Sequence, residues 1–139
     1  MNVDPIRNGI VIDHIKAGNG MAVYDFLHLG ELESPVAIIR NVSSKVMGKK
    51  DIIKIDEVID IDLGVLGYID PDITVNIIKN SKIIEKKHLE LPEEIVNVVK
   101  CKNPRCITTV EQEIPHKFKL TDKENRVYRC VYCESKAKK

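Results

Sequence analysis

Cys101-Lys102-Asn103-Pro104-Arg105-Cys106, answered after 23 residues by Cys130-Val131-Tyr132-Cys133, holds every cysteine of the 139-residue chain. The spacing is Cys-x4-Cys followed by Cys-x2-Cys. Two short chelating loops, with a hairpin's length of chain between them, bring four thiolates to the corners of a tetrahedron. That donor set predicts zinc on Cys101, Cys106, Cys130 and Cys133. A closed four-sulfur site leaves no position for water or substrate, so the predicted ion is structural. The alternatives are two disulfides in any of three pairings, or four unrelated buried thiols. Clustering in pairs, in a chain whose Met1–Arg7 segment lacks the basic-then-apolar pattern of a secretory leader, favours metal and predicts a cytosolic protein.

Outward from the cysteines, the insert predicts strands near Ile107–Ile114, Lys117–Leu120 and Arg126–Arg129, broken at Pro115 and turned at Thr121–Asn125. Leu91-Pro92-Glu93-Glu94 marks a boundary. Residues 95–139 therefore form a small all-β zinc-binding domain. A unit of about 40 residues rarely folds on core burial alone. A structural zinc site contributes an apparent ~10–16 kcal/mol in finger peptides, enough to decide whether such a module folds.

Residues 1–94 read as a second, α+β domain. Gly9–Ile15 is a β-branched strand closed by the Gly18-Asn19-Gly20 turn. From Gly20 to Leu29 the apolar spacing becomes helical, placing Ala22, Val23, Phe26, Leu27 and Leu29 on one side and Asp25 and His28 on the other. Asn19 is the expected N-cap and Gly30 the stop. Strands follow at Pro35–Val42 and Asp51–Asp56, a short helix within 58–69, and strands at Ile73–Lys79 and Lys82–Lys86 around an Asn80-Ser81 turn. The order β-α-β-β-α-β with one added strand is ferredoxin-like: an antiparallel sheet with both helices on one face. Its other face is free for a ligand.

Composition narrows the function. Nothing approaches a run of about 18 apolar residues, which predicts no membrane span. The net charge of +1 divides unevenly: residues 101–139 carry ten Lys/Arg against five Asp/Glu, and residues 1–100 carry twelve against sixteen. A basic C-terminal module suits an acidic protein surface or a phosphate backbone. Gly18-Asn19-Gly20-Met21 lacks the third glycine of a dinucleotide loop, and Met47-Gly48-Lys49-Lys50 is not a P-loop. No nucleophile–base motif stands out, so no enzyme is predicted. Lys50 and Lys54 share one side of an extended segment, Lys86 ends the last strand, and Asp13-His14 sets a carboxylate beside an imidazole. Converging lysines can bind a polyphosphate and a carboxylate can accept from ribose hydroxyls. Solvated lysines and a structural histidine are the plainer reading.

Val-Ile-Asp-His-Ile (11–15), Met-Gly-Lys-Lys-Asp-Ile-Ile-Lys-Ile (47–55), Thr-Val-Asn (74–76), Leu-Pro-Glu (91–93) and the cysteine spacing occur in order. Together they make the chain resemble the regulatory chains of aspartate carbamoyltransferase, nearly end to end. The resemblance implies a non-catalytic regulatory subunit of pyrimidine biosynthesis: an allosteric domain that binds CTP, ATP and UTP and pairs with a second regulatory chain, then a zinc domain that docks on the catalytic chain. The implied assembly has six catalytic and six regulatory chains. Matched by position, Asp13 and Lys54 contact the ribose and Lys86 the triphosphate, with His14 and Lys50 on the phosphate side. Val3, Asp4 and Ile6 border the base, Ile6 through its carbonyl, and Asn76, Ile78 and Ile83 complete the pocket. Asn103 and Glu134 match positions that contact the catalytic chain. Ser81 stands where the resemblance places a tyrosine near the base, Asp4 where it places a glutamate, and Arg105 where it places an asparagine. The competing reading is a zinc-ribbon nucleic-acid binder. It has a thin aromatic set for stacking bases, namely Phe118, Tyr128 and Tyr132.

Overall fold

The computed structural model describes residues 6–137, which fall into two compact units divided between Glu90 and Leu91. In the first, β1 (Gly9–Lys16), α1 (Gly20–Phe26), β2 (Val36–Ser44), β3 (Gly48–Ile55), α2 (Leu63–Ile69), β4 (Thr74–Lys79) and β5 (Lys82–His88) follow in order. The sheet order is β2-β3-β1-β4-β5 with every neighbouring pair antiparallel. This is the ferredoxin-like arrangement with β5 added beside β4. Among the described residues no helix is long and apolar enough to cross a membrane.

Strand alternation decides the two faces. Ile10, Ile12, Ile53, Ile55 and Val75 turn to one side, where they bury Val23 of α1 and Leu66 of α2 in a single core with Ile15, Leu29, Ile73 and Leu89. Ile12, Ile53 and Ile55 are fully buried, and burying such a side chain is worth about 1.5–3 kcal/mol. The core is aliphatic, as a chain with 4% aromatics requires. The intervening residues, Val11, Asp13, Lys54, Asn76 and their neighbours, lie on the face away from the helices.

The helices are shorter than their apolar spacing predicts. α1 ends at Phe26, and His28 takes a left-handed conformation (φ 54°) into a 3-10 turn, Leu29–Glu31. The turn brings Leu29 into the core, while Phe26, expected inside, stays exposed at the helix end. Asn19 stands at the N-cap position but makes no side-chain cap bond. Gly30 is not the stop. A Cβ there would lie 3.1 Å from the Tyr24 hydroxyl, so the residue serves close packing. α2 starts at Leu63, where the Asp62 carboxylate accepts the Val65 N–H at 3.2 Å. His28 is exposed as expected, but in the left-handed turn beyond α1 and not on the helix's polar side. Asn80 and Ser81 both have positive φ, the requirement of a tight two-residue hairpin turn.

In the second unit, β6 (Glu94–Val96), β7 (Lys117–Asp122) and β8 (Val127–Cys130) form a three-stranded antiparallel sheet around the buried Ile95, Phe118 and Tyr128. The Tyr128 hydroxyl donates to the Pro92 carbonyl, and the Leu120 N–H to the Glu93 carbonyl at 2.8 Å, which ties residues 92–94 to this unit. The strand predicted near Ile107–Ile114 does not form: Ile107–Val110 is a helical turn, α3, and residues 111–114 continue as turn. Cys106 overrides the propensity: its carbonyl accepts from Thr109 and Val110 at 2.9 and 3.2 Å, and the Thr109 hydroxyl donates to the Asn103 carbonyl at 2.8 Å.

Candidate functional site

The four sulfurs of the second unit converge. Cys101 and Cys133 Sγ are 3.5 Å apart, Cys106 and Cys130 Sγ 3.7 Å, and all four lie within 4.8 Å of one another. All are free thiols, three of them buried. Each loop is shaped by its own hydrogen bonds. Asn103 Oδ1 accepts the Arg105 N–H at 3.0 Å, and the Cys106 N–H donates to the Asn103 carbonyl at 3.1 Å, curling the first loop. The Cys130 N–H donates to the Ser135 carbonyl and the Glu134 N–H to the Cys130 carbonyl, both at 2.9 Å. Glu134 sits at φ 64°, so the second loop doubles back through a left-handed residue. His116 Nδ1 accepts the Cys101 N–H at 3.1 Å, and the buried Thr108 hydroxyl lies 3.1 Å from Cys106 Sγ.

These surroundings divide the thiols. Burial pushes Cys101 up to about 12. At Cys133 burial also opposes ionisation, but bonds from Ser135 and Asn103 outweigh it and bring the thiol to about 6. Four sulfurs this close are held together as thiolates by a cation. The cluster can hold a metal ion, and among the described residues it is the one such group.

On the open face of the first unit the register aligns residues that sequence spacing could only suggest. Lys54 pairs with Val11, Val11 with Asn76 and Asn76 with Lys86, so one row crosses β3, β1, β4 and β5. Three inter-strand steps set Lys54 and Lys86 roughly 14 Å apart at the backbone. In the next row Asp13 pairs with Thr74 and Thr74 with His88. Lys50 Nζ meets Asp13 Oδ1 at 2.9 Å. His14 occupies a bulge at φ 58°, where its N–H donates to Asp13 Oδ1 at 2.6 Å and its Nδ1 lies 3.0 Å from Thr74 Oγ1. Burial works against the Asp13 carboxylate, but the Lys50 bond and the His14 N–H outweigh it and hold the carboxyl below its ordinary value.

The other end of the face is apolar. Ile78 pairs with Ile83 and with Gly9, where a Cβ would collide with the Ile55 carbonyl oxygen and stand 2.8 Å from Ile6 Cγ2. Between the two ends, Asn76 Oδ1 is buried and, among the described residues, has no hydrogen-bond partner. A buried acceptor is ordinarily paired, so this amide can accept from a donor brought to the face. Asp13, His14, Lys50, Lys54, Asn76, Ile78, Ile83 and Lys86 thus share one face, and Ile6 lies at its edge. Val3 and Asp4 lie outside the described residues. Val11, Thr74 and His88 complete the face and went unnoticed in the sequence, because only the strand register brings them there.

An antiparallel α+β unit with a row of lysines on its open face, followed by a small β unit whose four cysteines can hold a metal ion, defines a two-domain chain. A family model described as "Aspartate carbamoyltransferase regulatory chain, allosteric domain" matches residues 1–90, and the corresponding "metal binding domain" matches residues 93–139. Relatives named aspartate carbamoyltransferase regulatory chain include those of Clostridium acetobutylicum, 57% identical over 134 residues (96% of this chain, 92% of the relative), and Clostridium tetani, 54% over 135 residues (96% and 94%). That of Bifidobacterium longum is 46% identical over 138 residues, 99% of both chains. The chain belongs to the aspartate carbamoyltransferase regulatory chain family, and is a non-catalytic subunit with an allosteric and a metal-binding domain.

Proposed function

We propose that the first domain binds CTP, ATP and UTP on its open sheet face as allosteric effectors of pyrimidine biosynthesis. The second domain, held by zinc, docks on the catalytic chain of aspartate carbamoyltransferase. The carrying observation is the row Lys54–Val11–Asn76–Lys86 with the Asp13–Lys50 pair beside it and an apolar end at Ile78 and Ile83. Such a face offers charge to a triphosphate at one end and apolar surface to a base at the other. In this reading Lys86 takes the triphosphate, His14 and Lys50 lie on its side, and Asp13 and Lys54 hold the ribose. Asn76, Ile78 and Ile83 line the pocket. The Ile6 carbonyl accepts from an exocyclic amino group, with Val3 and Asp4 bordering the base.

Zinc is supported by the donor set and its spacing. Zn–S bonds of about 2.3 Å give tetrahedral edges of about 3.8 Å, beside sulfur separations of 3.5 and 3.7 Å in a set that lies within 4.8 Å. The ion supplies a cross-link between the two loops. Docking is supported by what is exposed near the cysteines: Ile107 and Val110 on α3 and Val131 and Tyr132 on the second loop are 42–66% accessible, with half-buried Asn103 and exposed Glu134 on the two loops. Exposed apolar groups gathered on a rigid scaffold mark a protein contact. The assembly we propose is cytoplasmic, with six catalytic and six regulatory chains and the regulatory chains paired.

Calorimetric titration of the zinc-loaded chain with CTP, ATP and UTP tests the reading. Saturable binding of all three at one site per chain is expected, and heats that never saturate would sink it. Mixing with the catalytic chain on a sizing column tests docking by co-elution.

A further inference from the structure

Asp51 is fully buried in β3, on the core side between Ile53 and the end of the strand. An ionisable group belongs there only if its oxygens are satisfied. They are: Oδ2 accepts the N–H groups of Gly18 and Gly20 at 3.1 and 3.0 Å, and Oδ1 accepts that of Asn41 at 3.0 Å. Three backbone donors from two different segments meet on one carboxylate.

Both strands that flank β3 change register beside this residue. β1 pairs Ile12 with Ile53 and then Ile15 with Asp51, leaving Asp13 and His14 in a bulge. β2 pairs Ile39 with Ile52 and then Val42 with Lys50, leaving Arg40 and Asn41 in another. His14 and Asn41 take left-handed φ values of 58° and 60° at these bulges. A second buried carboxylate, Asp70, accepts the Lys16 N–H at 3.2 Å and the Asp72 N–H at 3.0 Å. The chain leaving the β1 bulge is therefore held at Lys16, Gly18 and Gly20 by carboxylates on either side. A Cβ on Gly20 would stand 2.8 Å from Asp51 Oδ2, so the approach is close enough to demand glycine.

We infer that Asp51 is the positioning residue of the phosphate end of the nucleotide pocket: it touches no ligand, but fixes the bulge that aims Asp13 and His14 and the strand end that carries Lys50. The inference rests on the proposed nucleotide reading. Bulges re-aim side chains next to binding sites, and here one carboxylate holds the chain just past the β1 bulge, at Gly18 and Gly20, and the β2 bulge itself, at Asn41. Without the carboxylate, three backbone donors, that of Gly20 buried, lose their acceptor and the Lys50–Asp13 pair loses its frame.

The test compares wild type with Asp51→Asn in the full zinc-loaded chain, by calorimetry with CTP and with CMP. The amide keeps the shape but turns an NH2 toward backbone donors. CTP affinity is expected to fall about tenfold or more, and the CTP-to-CMP affinity ratio to shrink, because the damage lies at the phosphate end. NMR is expected to show shifted amides at His14 and Lys50 with those of β5 unmoved. Unchanged CTP affinity in a folded variant overturns the inference, and so does equal loss for both nucleotides, the mark of a merely structural residue. If wild type binds neither nucleotide the nucleotide reading itself fails. The clamp is then judged by NMR alone, where unmoved His14 and Lys50 amides would refute it. Should Asp51→Asn fail to fold, Gly20→Ala, which presses on the same carboxylate from outside, carries the same measurements and outcomes.

Discussion

Lys50 and Asp13, on neighbouring strands of the open face, form an ion pair at 2.9 Å in which the two side chains are only 16% and 20% exposed. The pair draws its geometry from the β1 bulge. The Asp13 carboxylate is opposed by burial and favoured, more strongly, by Lys50 and by the His14 N–H, so its folded pKa lies below the ordinary carboxylate value. A carboxyl depressed on folding contributes stability that is fully present above the unfolded pKa of about 3.9 and lost as pH falls through the folded one. The first domain should therefore lose stability on acidification below about pH 4, more steeply than Asp13→Asn. Urea melts of both proteins at several pH values check this. Parallel pH profiles would mean the pair carries no linkage.

Lys86→Ala should weaken CTP and ATP alike, since in the proposed pocket the lysine takes the triphosphate and the phosphates are common to both. A lost charge-assisted bond is worth ~1.5–3 kcal/mol, or about 10- to 150-fold in affinity. Equal calorimetric affinities in wild type and variant would take this residue out of the site.

Ser81 bears on base reading. It sits exposed at φ 63° in the Asn80–Ser81 turn, beside the Ile78–Ile83 pair, and its N–H donates to the Arg7 carbonyl at 2.9 Å. A tyrosine here would offer a ring against the base, whereas serine leaves room and stacks on nothing. ATP and CTP should differ by less than about tenfold, or ~1.4 kcal/mol. A wider gap on the same sample would show that the base is read elsewhere.

Much of this was legible in the residues because strand alternation and turn chemistry agree. β-branched runs closed by Gly18-Asn19-Gly20 and Asn80-Ser81 define the strands, and the cysteine spacing defines the metal cluster. Legibility ends where tertiary constraint beats local preference. Ile107–Val110 has a strand's composition but folds as a turn because Cys106 and Asn103 capture its hydrogen bonds. Phe26 has a core residue's spacing but lies at a helix end shortened by the left-handed His28. The bulges at Asp13–His14 and Arg40–Asn41 left no sequence mark: Asn41 is held by a carboxylate ten residues further on, and the chain past the Asp13–His14 bulge is held by the same carboxylate at Gly18 and Gly20. The register they set is what assembles Val11, Thr74 and His88 with the residues that motif reading found.

The two domains should separate cleanly when metal is removed. The first has its own aliphatic core from β1, β3, β4 and both helices. The second buries Ile95, Phe118 and Tyr128 beside the cysteines, too little for a unit of its size to fold on. A structural zinc site adds about 10–16 kcal/mol in small peptides, so its loss should unfold residues 91–139 and leave the first domain folded. Metal-free chain, prepared with a thiol-reactive mercurial or a chelator, should still bind CTP with near wild-type affinity. It should no longer co-elute with the catalytic chain, because Asn103, Glu134, Val131 and Tyr132 keep their places only while the loops are tied. Cys130→Ser should act the same way, since it leaves three sulfurs and a poorer fourth ligand. Co-elution that survives metal loss would move docking off the zinc domain. CTP binding that vanishes with the metal would overturn the independence of the two domains.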